Sequence, residues 1–143
     1  MTVSAILAGK GREIISVKED RTLTQVCAVL AERRIGAVVV LDGAGGLAGI
    51  FSERDVVRAL AKDGPLSLER PVAEYMTRAV QTCTPQEPVS TVMSRMTAGR
   101  FRHLPVLENG SLVAVISIGD VVKHRIAQAE QEAEDMRSYI HTA

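Results

Sequence analysis

The sequence has few cysteines, few aromatic residues and few histidines, and each shortage excludes a class of site. Its 143 residues include two cysteines, two phenylalanines, two tyrosines and no tryptophan. Cys27 and Cys83 are too few for a disulfide framework and lack metal-ligand spacing, so we expect buried or half-buried free thiols. The three histidines, His103, His124 and His141, are scattered along the chain, which argues against a zinc site.

The sequence also lacks an excess of charge of either sign and lacks a long apolar run. Seventeen basic residues balance 17 acidic ones, so the net charge is zero. No global field attracts nucleic acid or an anionic membrane, and any anion must bind at a local site. No run is long enough to span a membrane, and the first residues do not resemble a secretory signal. We therefore expect a cytoplasmic protein with neither nucleic acid nor membrane as a partner.

The chain does contain an internal repeat. The stretches IFSERDVVRA at 50–59 and VISIGDVVKH at 115–124 both end an apolar run in Ser-x-x-Asp and continue with Val-Val and a basic residue. The serines of the two copies are 65 positions apart (117 − 52). An apolar helical face further upstream recurs with an offset of 66 positions (89 − 23). Its members are Leu23, Val26, Cys27 and Leu30 in the first copy, and Val89, Val92, Met93 and Met96 in the second.

Each copy of the repeat predicts the order β-α-β-β-α. The first helix begins at Thr22 or Thr24, and a hairpin follows it. In the second copy Asn109-Gly110 supplies the positive φ angles of a tight turn. The closing helices begin at the two serines, and we expect both valines of each Val-Val pair to face inward, namely Val56, Val57, Val121 and Val122.

A unit of this size buries too little apolar surface to be stable alone, so the two copies should pack on each other across a pseudo-twofold axis. We predict an α/β fold with repeats at 10–68 and 74–127, a linker between them, and a short helix after Pro71. Helices are expected at the N-terminus, where one caps the repeats, and at 128–143. The last helix carries an apolar seam, and we expect another surface to pack against it. The seam is formed by Val122, Ile126, Ala129, Ala133, Met136 and Ile140.

Two interpretations of Ser-x-x-Asp remain open. The pairs Ser52/Asp55 and Ser117/Asp120 resemble capping boxes, in which serine accepts a first-turn N–H and the acid bonds back. The shorter aspartate, however, should reach back poorly. Because both helices begin directly after a strand, their N-terminal N–H groups could instead bind a phosphate, with the aspartate accepting from ribose hydroxyls.

These residues carry a family resemblance. The stretches GIFSERDVV at 49–57 and AVISIGDVV at 114–122 are similar to the motif of cystathionine β-synthase (CBS) domains, and two copies in register over about residues 10–127 resemble a tandem pair, a Bateman module. The resemblance implies clefts between the repeats that bind adenosine compounds. AMP, ADP, ATP and NAD(H) are the candidates, with S-adenosylmethionine less favoured.

The resemblance also implies a set of ligand contacts. Asp55 and Asp120 would hold ribose, and Ser52 and Ser117 would contact ribose or phosphate. One adenine would be flanked by residues near Ile15–Ser16 and Gly36–Val38, and the other by residues near Val80–Thr82 and His103–Pro105. The complete set of candidates is Ser16, Gly36, Ala37, Val38, Ser52, Arg54, Asp55, Thr82, Arg102, His103, Leu104, Pro105, Ser117 and Asp120.

The two clefts are not expected to be equivalent. Arg54 in the Asp55 cleft (the first cleft) could hold extra phosphates, or could point to solvent or pair with a carboxylate such as Glu53. Its counterpart Gly119 offers only backbone. Arg100, Arg102 and His103 could supply positive charge to the Asp120 cleft (the second cleft), or could be solvated surface groups. Ala114, where the first copy has Gly49, is expected to narrow that second cleft.

The resulting functional hypothesis is a standalone sensor that binds an adenine nucleotide and signals through a protein effector, because this chain offers no effector domain. We also expect a homodimer. The alternative is a structural adaptor whose clefts do not function. An enzyme is not expected, since there is no P-loop, no GxGxxG and no Ser–His–acid arrangement at usable spacing.

Overall fold

The structure, a computed structural model, describes residues 1–142 as two β-containing repeats with helices around them. The chain begins with helix α1 (Val3–Lys10). The first repeat contains β1 (Ser16–Lys18), α2 (Leu23–Arg33), β2 (Ala37–Leu41), β3 (Leu47–Ser52) and α3 (Glu53–Asp63). Two short 3-10 helices, Gly64–Glu69 and Val72–Glu74, connect it to the second repeat. That repeat contains α4 (Val89–Gly99), β4 (His103–Glu108), β5 (Ser111–Ser117) and α5 (Ile118–Thr142).

Helix α2 begins where its sequence provides a complete cap. The Gln25 N–H donates to Thr22 Oγ1 at 3.2 Å, and the Thr22 N–H donates to Gln25 Oε1 at 3.0 Å. This reciprocal pair satisfies two backbone donors that have no partner within the helix. The start is therefore Thr22, whereas the Thr24 hydroxyl donates to the carbonyl of Leu68 and ties α2 to the linker.

The sheet of the first repeat has the predicted strands. β1 pairs with β2 in parallel, and β2 pairs with β3 in an antiparallel hairpin. In the second repeat the β4–β5 hairpin turns at Asn109 and Gly110, whose φ angles of 52° and 79° match the expected tight turn.

The predicted first strand of the second repeat is wrong, because only one residue pairs. Cys83 forms an isolated parallel bridge with Val106. The Cys83 N–H donates to the carbonyl of Pro105 at 3.0 Å, and the Leu107 N–H donates to the carbonyl of Cys83 at 2.8 Å. The ladder does not extend backward, since Pro105 on β4 has no N–H to continue it. The carbonyl of Thr82 accepts from the Arg95 guanidinium at 2.7 Å.

Each repeat has its own hydrophobic core, and α1 completes the second one. Val3, Ile6 and Leu7 of α1 are buried against the core of the second repeat. The backbone fixes this position, because the Val3 N–H donates to the carbonyl of Glu87 at 3.0 Å. The prediction of an N-terminal capping helix is confirmed. Core residues of the first repeat include Leu23, Val26, Leu30, Val38, Val40 and Phe51, and those of the second include Val89, Val92, Met96, Leu104, Val106 and Ile116.

Both cysteine thiols are shielded within these layers. Cys83 is buried and Cys27 is half-buried, as the sequence predicts. Burial raises the pKa of Cys83 to about 12, with a smaller contribution from Glu87. Burial also raises the pKa of Cys27. Because the thiolate is the reactive form, neither cysteine is prepared for nucleophilic chemistry.

The expectation that both valines of each Val-Val pair face inward is wrong. Val121 is fully buried and Val56 is half-buried, but Val57 is 66% exposed and Val122 is 44% exposed. Successive helical residues differ by about 100° around the axis, so two neighbours cannot both face one core.

The C-terminal segment predicted as a helix at 128–143 is not a separate element. Residues 128–142 continue α5 without a break, and residue 143 lies outside the described residues. The predicted seam on this helix, hereafter the α5 seam, consists of Val122, Ile126, Ala129, Ala133, Met136 and Ile140. Ile126, Met136 and Ile140 are 56%, 62% and 65% exposed, so no part of the described chain covers them.

Gly49 is required by the linker that passes over β3. A Cβ atom at this position would lie 2.7 Å from the Thr77 carbonyl oxygen and 2.7 Å from Met76 Sδ. The Ile50 N–H donates to the same Thr77 carbonyl at 3.0 Å, so the backbone cannot easily withdraw. The corresponding Ala114 is buried in the core of the second repeat.

We predict that Gly49→Ala lowers the unfolding free energy by about 1–3 kcal/mol, because the methyl group overpacks the contact with Met76 and Thr77. Gly9→Ala is the control, since it lies within α1 and has no neighbour within 4 Å of the added Cβ. It should raise stability by up to about 1 kcal/mol. Denaturant unfolding measures both changes, and an equal effect of the two substitutions would contradict the packing argument.

Candidate ligand-binding clefts

Two clefts lie between the repeats, and each is built from both. The first cleft, of about 410 Å³, joins residues 52–55 at the β3–α3 junction to residues 79–81 and 99–103 of the second repeat. The second cleft, of about 380 Å³, joins Val115, Ser117 and Asp120 to residues 34–37 of the first repeat and to Lys10. Both volumes lie within the range of small-molecule sites.

The two clefts are related by the repeat. The segment 79–81 in the first cleft corresponds to 13–15 near the second, with the same offset of 66 positions (79 − 13). Arg100 in the first cleft corresponds to Arg34 in the second. Both arginines end a helix in the left-handed region, with φ of 56° and 54°, a conformation that few non-glycine residues adopt. Each motif aspartate therefore faces a helix end from the other repeat.

Both Ser-x-x-Asp segments form the reciprocal cap that the sequence left open. The Ser52 N–H donates to Asp55 Oδ2 at 2.9 Å, and the Ser117 N–H donates to Asp120 Oδ2 at 2.8 Å. In the second motif the Asp120 N–H also donates to Ser117 Oγ at 3.1 Å. The expectation that aspartate reaches back poorly is wrong. The cap uses Oδ2 of each carboxylate, so it does not exclude a ligand at the other oxygen.

The first cleft carries most of the positive charge. Arg54, Arg58, Arg100 and Arg102 line it together with Glu53 and Asp55. Asp55 is only 6% exposed, and its Oδ1 lies 3.5 Å from Arg58 Nη1. The assignment of Arg100 and Arg102 to the second cleft is wrong, because the α4–β4 junction of the second repeat faces the Asp55 motif of the first.

Arg54 neither points to solvent nor pairs with Glu53. Its Nη1 donates to the backbone carbonyl of Arg100 at 3.0 Å, so this side chain connects α3 of the first repeat to the end of α4 in the second. The guanidinium is held at the cleft by one hydrogen bond and retains further N–H donors.

The second cleft contains a lysine that the repeat does not supply. Lys10 Nζ donates to Asp120 Oδ2 at 2.7 Å and to the carbonyl of Val115 at 2.7 Å. Desolvation of Asp120 acts to raise its pKa, but the hydrogen bonds from Lys10 and from the Ser117 N–H outweigh it and hold the pKa below its ordinary value. No motif could have indicated Lys10, since it ends α1 and its counterpart in the second repeat is Met76.

His103 and Gly36 lie between the clefts and line both of them. A Cβ atom on Gly36 would lie 3.2 Å from His103 Cε1, so the two residues are in close contact. Burial lowers the pKa of His103, although Asp120 and Glu53 act to raise it. The imidazole is therefore neutral near pH 7, which disfavours its use as an imidazolium that binds phosphate.

The remaining predicted contacts divide into two groups. Besides His103, eight candidates line a cleft: Gly36, Ala37, Ser52, Arg54, Asp55, Arg102, Ser117 and Asp120. Five line neither cleft: Ser16, Val38, Thr82, Leu104 and Pro105. Val38 and Leu104 are core residues, because successive strand residues point to opposite faces and their neighbours Ala37 and His103 face the clefts.

Ala114 does not narrow the second cleft, contrary to the expectation. It is buried in the core and is not among the residues that line the opening. Sequence reasoning also missed several residues that do line a cleft, including Lys10, Glu13, Arg34, Arg58 and Thr77.

The CBS domain family model matches residues 10–62 and 72–127. The chain therefore belongs to the CBS domain family and contains a pair of these domains. It is 30% identical over 147 residues to CBSX3, a mitochondrial CBS domain-containing protein of Arabidopsis thaliana, covering 97% of this chain and 71% of that protein. Several other Arabidopsis thaliana relatives are longer, and this chain spans 22% of their length.

Solved structures share the fold. A CBS-domain containing protein from Agrobacterium tumefaciens is 45% identical, with a TM-score of 0.85, and the match covers 87% of this chain and 99% of that one. A CBS domain protein from Pyrobaculum aerophilum, solved in complex with AMP, is 29% identical, with a TM-score of 0.74 and coverage of 84% and 89%. The predicted tandem arrangement of CBS domains is confirmed.

Within residues 1–142 no helix, including the 25-residue α5, combines the length and apolar character needed to cross a membrane.

We predict that Asp120→Asn reduces the loss of stability in acid. Because the folded pKa of Asp120 is depressed, the carboxylate stabilises the fold above its unfolded pKa. This contribution is lost as the pH falls through the lower folded pKa. Urea unfolding measures the free energy of unfolding at about pH 5 and about pH 2, and the decrease between the two should be smaller for Asp120→Asn than for the unmodified protein. Lys10→Met should also make this decrease smaller. If the decrease is the same in both variants as in the unmodified protein, the ion pair does not lower the pKa of Asp120.

Proposed function

We propose that this CBS pair is a regulatory module that binds an adenine nucleotide, first of all in the Asp55 cleft, and acts as a homodimer on a protein effector. The observation that carries the proposal is the position of the Ser52–Asp55 cap opposite four arginines in the first cleft. A cleft with one buried carboxylate and several guanidinium groups suits a ligand that has both hydroxyl groups and phosphate.

The phosphate would lie near the N-terminus of α3. The positive end of the helix dipole favours an anion there, although the first N–H of α3, that of Glu53, already donates to the Gly36 carbonyl at 3.0 Å. Arg54, Arg100 and Arg102 line the same space and can donate to phosphate oxygens in pairs. Arg54 is already positioned by its hydrogen bond to the Arg100 carbonyl.

The nucleoside would occupy the deeper part of the cleft. Asp55 Oδ2 is held by the Ser52 N–H, which leaves Oδ1 to accept from vicinal ribose hydroxyls, as acidic residues do in dinucleotide-binding folds. Ala37, Ile50 and Val80 provide apolar surface for the base. The complex of the Pyrobaculum aerophilum relative with AMP supports this class of ligand.

The second cleft would bind more weakly. The residue that corresponds to Arg54 is Gly119, which offers no guanidinium for phosphate. Lys10 and the cap both use Asp120 Oδ2, so a nucleotide hydroxyl would donate to the other oxygen, Oδ1, with the Lys10 ammonium in place. The proposal does not include catalysis.

The adaptor hypothesis is favoured by one observation, the exposed α5 seam, which offers a contact surface that does not depend on the clefts. Nucleotide titration separates the two hypotheses, because an adaptor with non-functional clefts would show no saturable binding.

We predict that Asp55→Glu and Asp55→Asn separate the capping role from ligand binding. Glutamate is the preferred reciprocal cap, so it should preserve most of the helix start while displacing the carboxylate by one methylene. Asparagine should weaken both functions. Since a charge-assisted hydrogen bond contributes about 1.5–3 kcal/mol, AMP affinity should fall about tenfold to a hundredfold in both variants.

Calorimetric titration with AMP and thermal melting measure these two effects separately. Asp120→Glu is the matched control in the second cleft and should leave the stronger binding event unchanged. Lower stability with unchanged AMP affinity in both Asp55 variants would show that the motif is only a cap and would refute the proposed function.

We predict that Arg54→Ala weakens binding of ADP, ATP or NAD(H) more than binding of AMP. The guanidinium can bind a second or third phosphate, and one such contact is worth about 1.5–3 kcal/mol. The titration is made in an Asp120→Asn background, so that the first cleft is measured alone. An equal loss for every nucleotide, or no loss, would show that Arg54 does not select for phosphate-chain length.

A further inference from the structure

The α5 seam is an apolar face that nothing in residues 1–142 covers. The spacing of its members is 4, 3, 4, 3, 4, which is a heptad pattern. Val122, Ala129 and Met136 occupy d positions, whereas Ile126, Ala133 and Ile140 occupy a positions. Helix α5 packs on α1, α4 and β5 through its first part, and its remaining turns extend with the seam exposed.

The residues beside the seam carry charges in a specific order. Arg125 and Glu132 occupy g positions, and Glu130 and Arg137 occupy e positions. All four side chains are exposed. None of them forms an ion pair with another residue of the described chain. The charges that select partner and orientation in a coiled coil are therefore available.

In a parallel pair of identical helices, each g residue faces the e residue five positions further along the other helix. Arg125 would face Glu130 of the second copy, and Glu132 would face Arg137 of the second copy. Both contacts join opposite charges, and each occurs twice in the dimer because the two helices are related by twofold symmetry.

An antiparallel pair of the same helices would be repulsive. The register that buries the whole seam places Val122 opposite Ile140 of the second copy. In that register Glu130 faces Glu130 of the second copy, Glu132 faces its own counterpart, and Lys123 faces Arg137. Like charges at these positions destabilise the pair, so the charge order selects the parallel orientation.

We propose that residues 122–142 of two copies of this chain pair as a parallel two-stranded coiled coil along the α5 seam. The small Ala129 and Ala133 side chains allow close approach at the centre, and isoleucine and methionine pack on either side. This interface specifies how the homodimer of the proposed function is held, and its test does not depend on nucleotide binding.

Disulfide trapping in the full chain tests the orientation. In a parallel pair Ala129 faces Ala129 of the second copy, so Ala129→Cys should form a covalent dimer under mild oxidation. Gln131→Cys is the matched control, because it lies on the same exposed segment but points away from the seam. It should remain uncrosslinked, as should the unmodified protein with its shielded Cys27 and Cys83. The Ala129→Cys variant is also mixed with an Ala133→Cys variant. If Ala129→Cys crosslinks only to Ala133→Cys and not to itself, the helices are antiparallel and the proposal is overturned.

Charge exchange tests the same interface without a covalent bond. Glu130→Arg places like charges at two symmetric contacts and should raise the dimer dissociation constant about tenfold by sedimentation equilibrium. Adding Arg125→Glu restores opposite charges in the parallel pair alone, and should restore the dimer. Thermal melting of each variant checks that the fold is retained. A monomer at tens of micromolar, or a dimer indifferent to both substitutions, would overturn the proposal.

Discussion

The hydrogen bond from each motif serine N–H to its aspartate is the interaction on which the rest of this structure depends. It joins the end of a strand to the first turn of a helix in both repeats, at 2.9 Å in the first and 2.8 Å in the second. It fixes where α3 and α5 begin, and the first N–H of each helix then donates to a carbonyl of its own repeat, Glu53 to Gly36 and Ile118 to Arg102. Because the opposite wall at each motif comes from the other repeat, neither repeat can form a cleft by itself.

The pseudo-twofold symmetry is broken at the positions that decide chemistry. Where the first repeat has Gly36-Ala37, the second has Arg102-His103. The two bulky side chains that line the first cleft at these positions therefore both come from the second repeat. Arg54 corresponds to Gly119, which removes a guanidinium from the second cleft. Lys10 then introduces a different cation there. The same backbone arrangement therefore gives a first cleft lined by four arginines and a second cleft in which a lysine from α1 pairs with the aspartate.

The repeat architecture could be predicted from the sequence because it depends on short-range patterns. Apolar periodicity, the Thr22 cap and the Asn109-Gly110 turn each act over a few residues, and each was confirmed. The errors arise where a second segment decides the outcome. The strand near Thr82 is lost because Pro105 on β4 has no N–H to continue the ladder. Gly49 is needed because the Thr77 segment packs against it, not because it lines a cleft. Likewise, only the packing of one repeat on the other assigns Arg100 to the Asp55 cleft.

Helix α5 connects the second cleft to the exposed seam in a single element. Its first turn is capped by Ser117 and Asp120, and its 25 residues continue to the apolar face at Met136 and Ile140. A rigid helix transmits a displacement of its first turn along its whole length. A ligand bound at Asp120 would contact that first turn, and Lys10 joins the same aspartate to the end of α1. Such a ligand could move the seam only if it bound one position of α5 more tightly than another, and the change in population would be set by that difference in binding free energy.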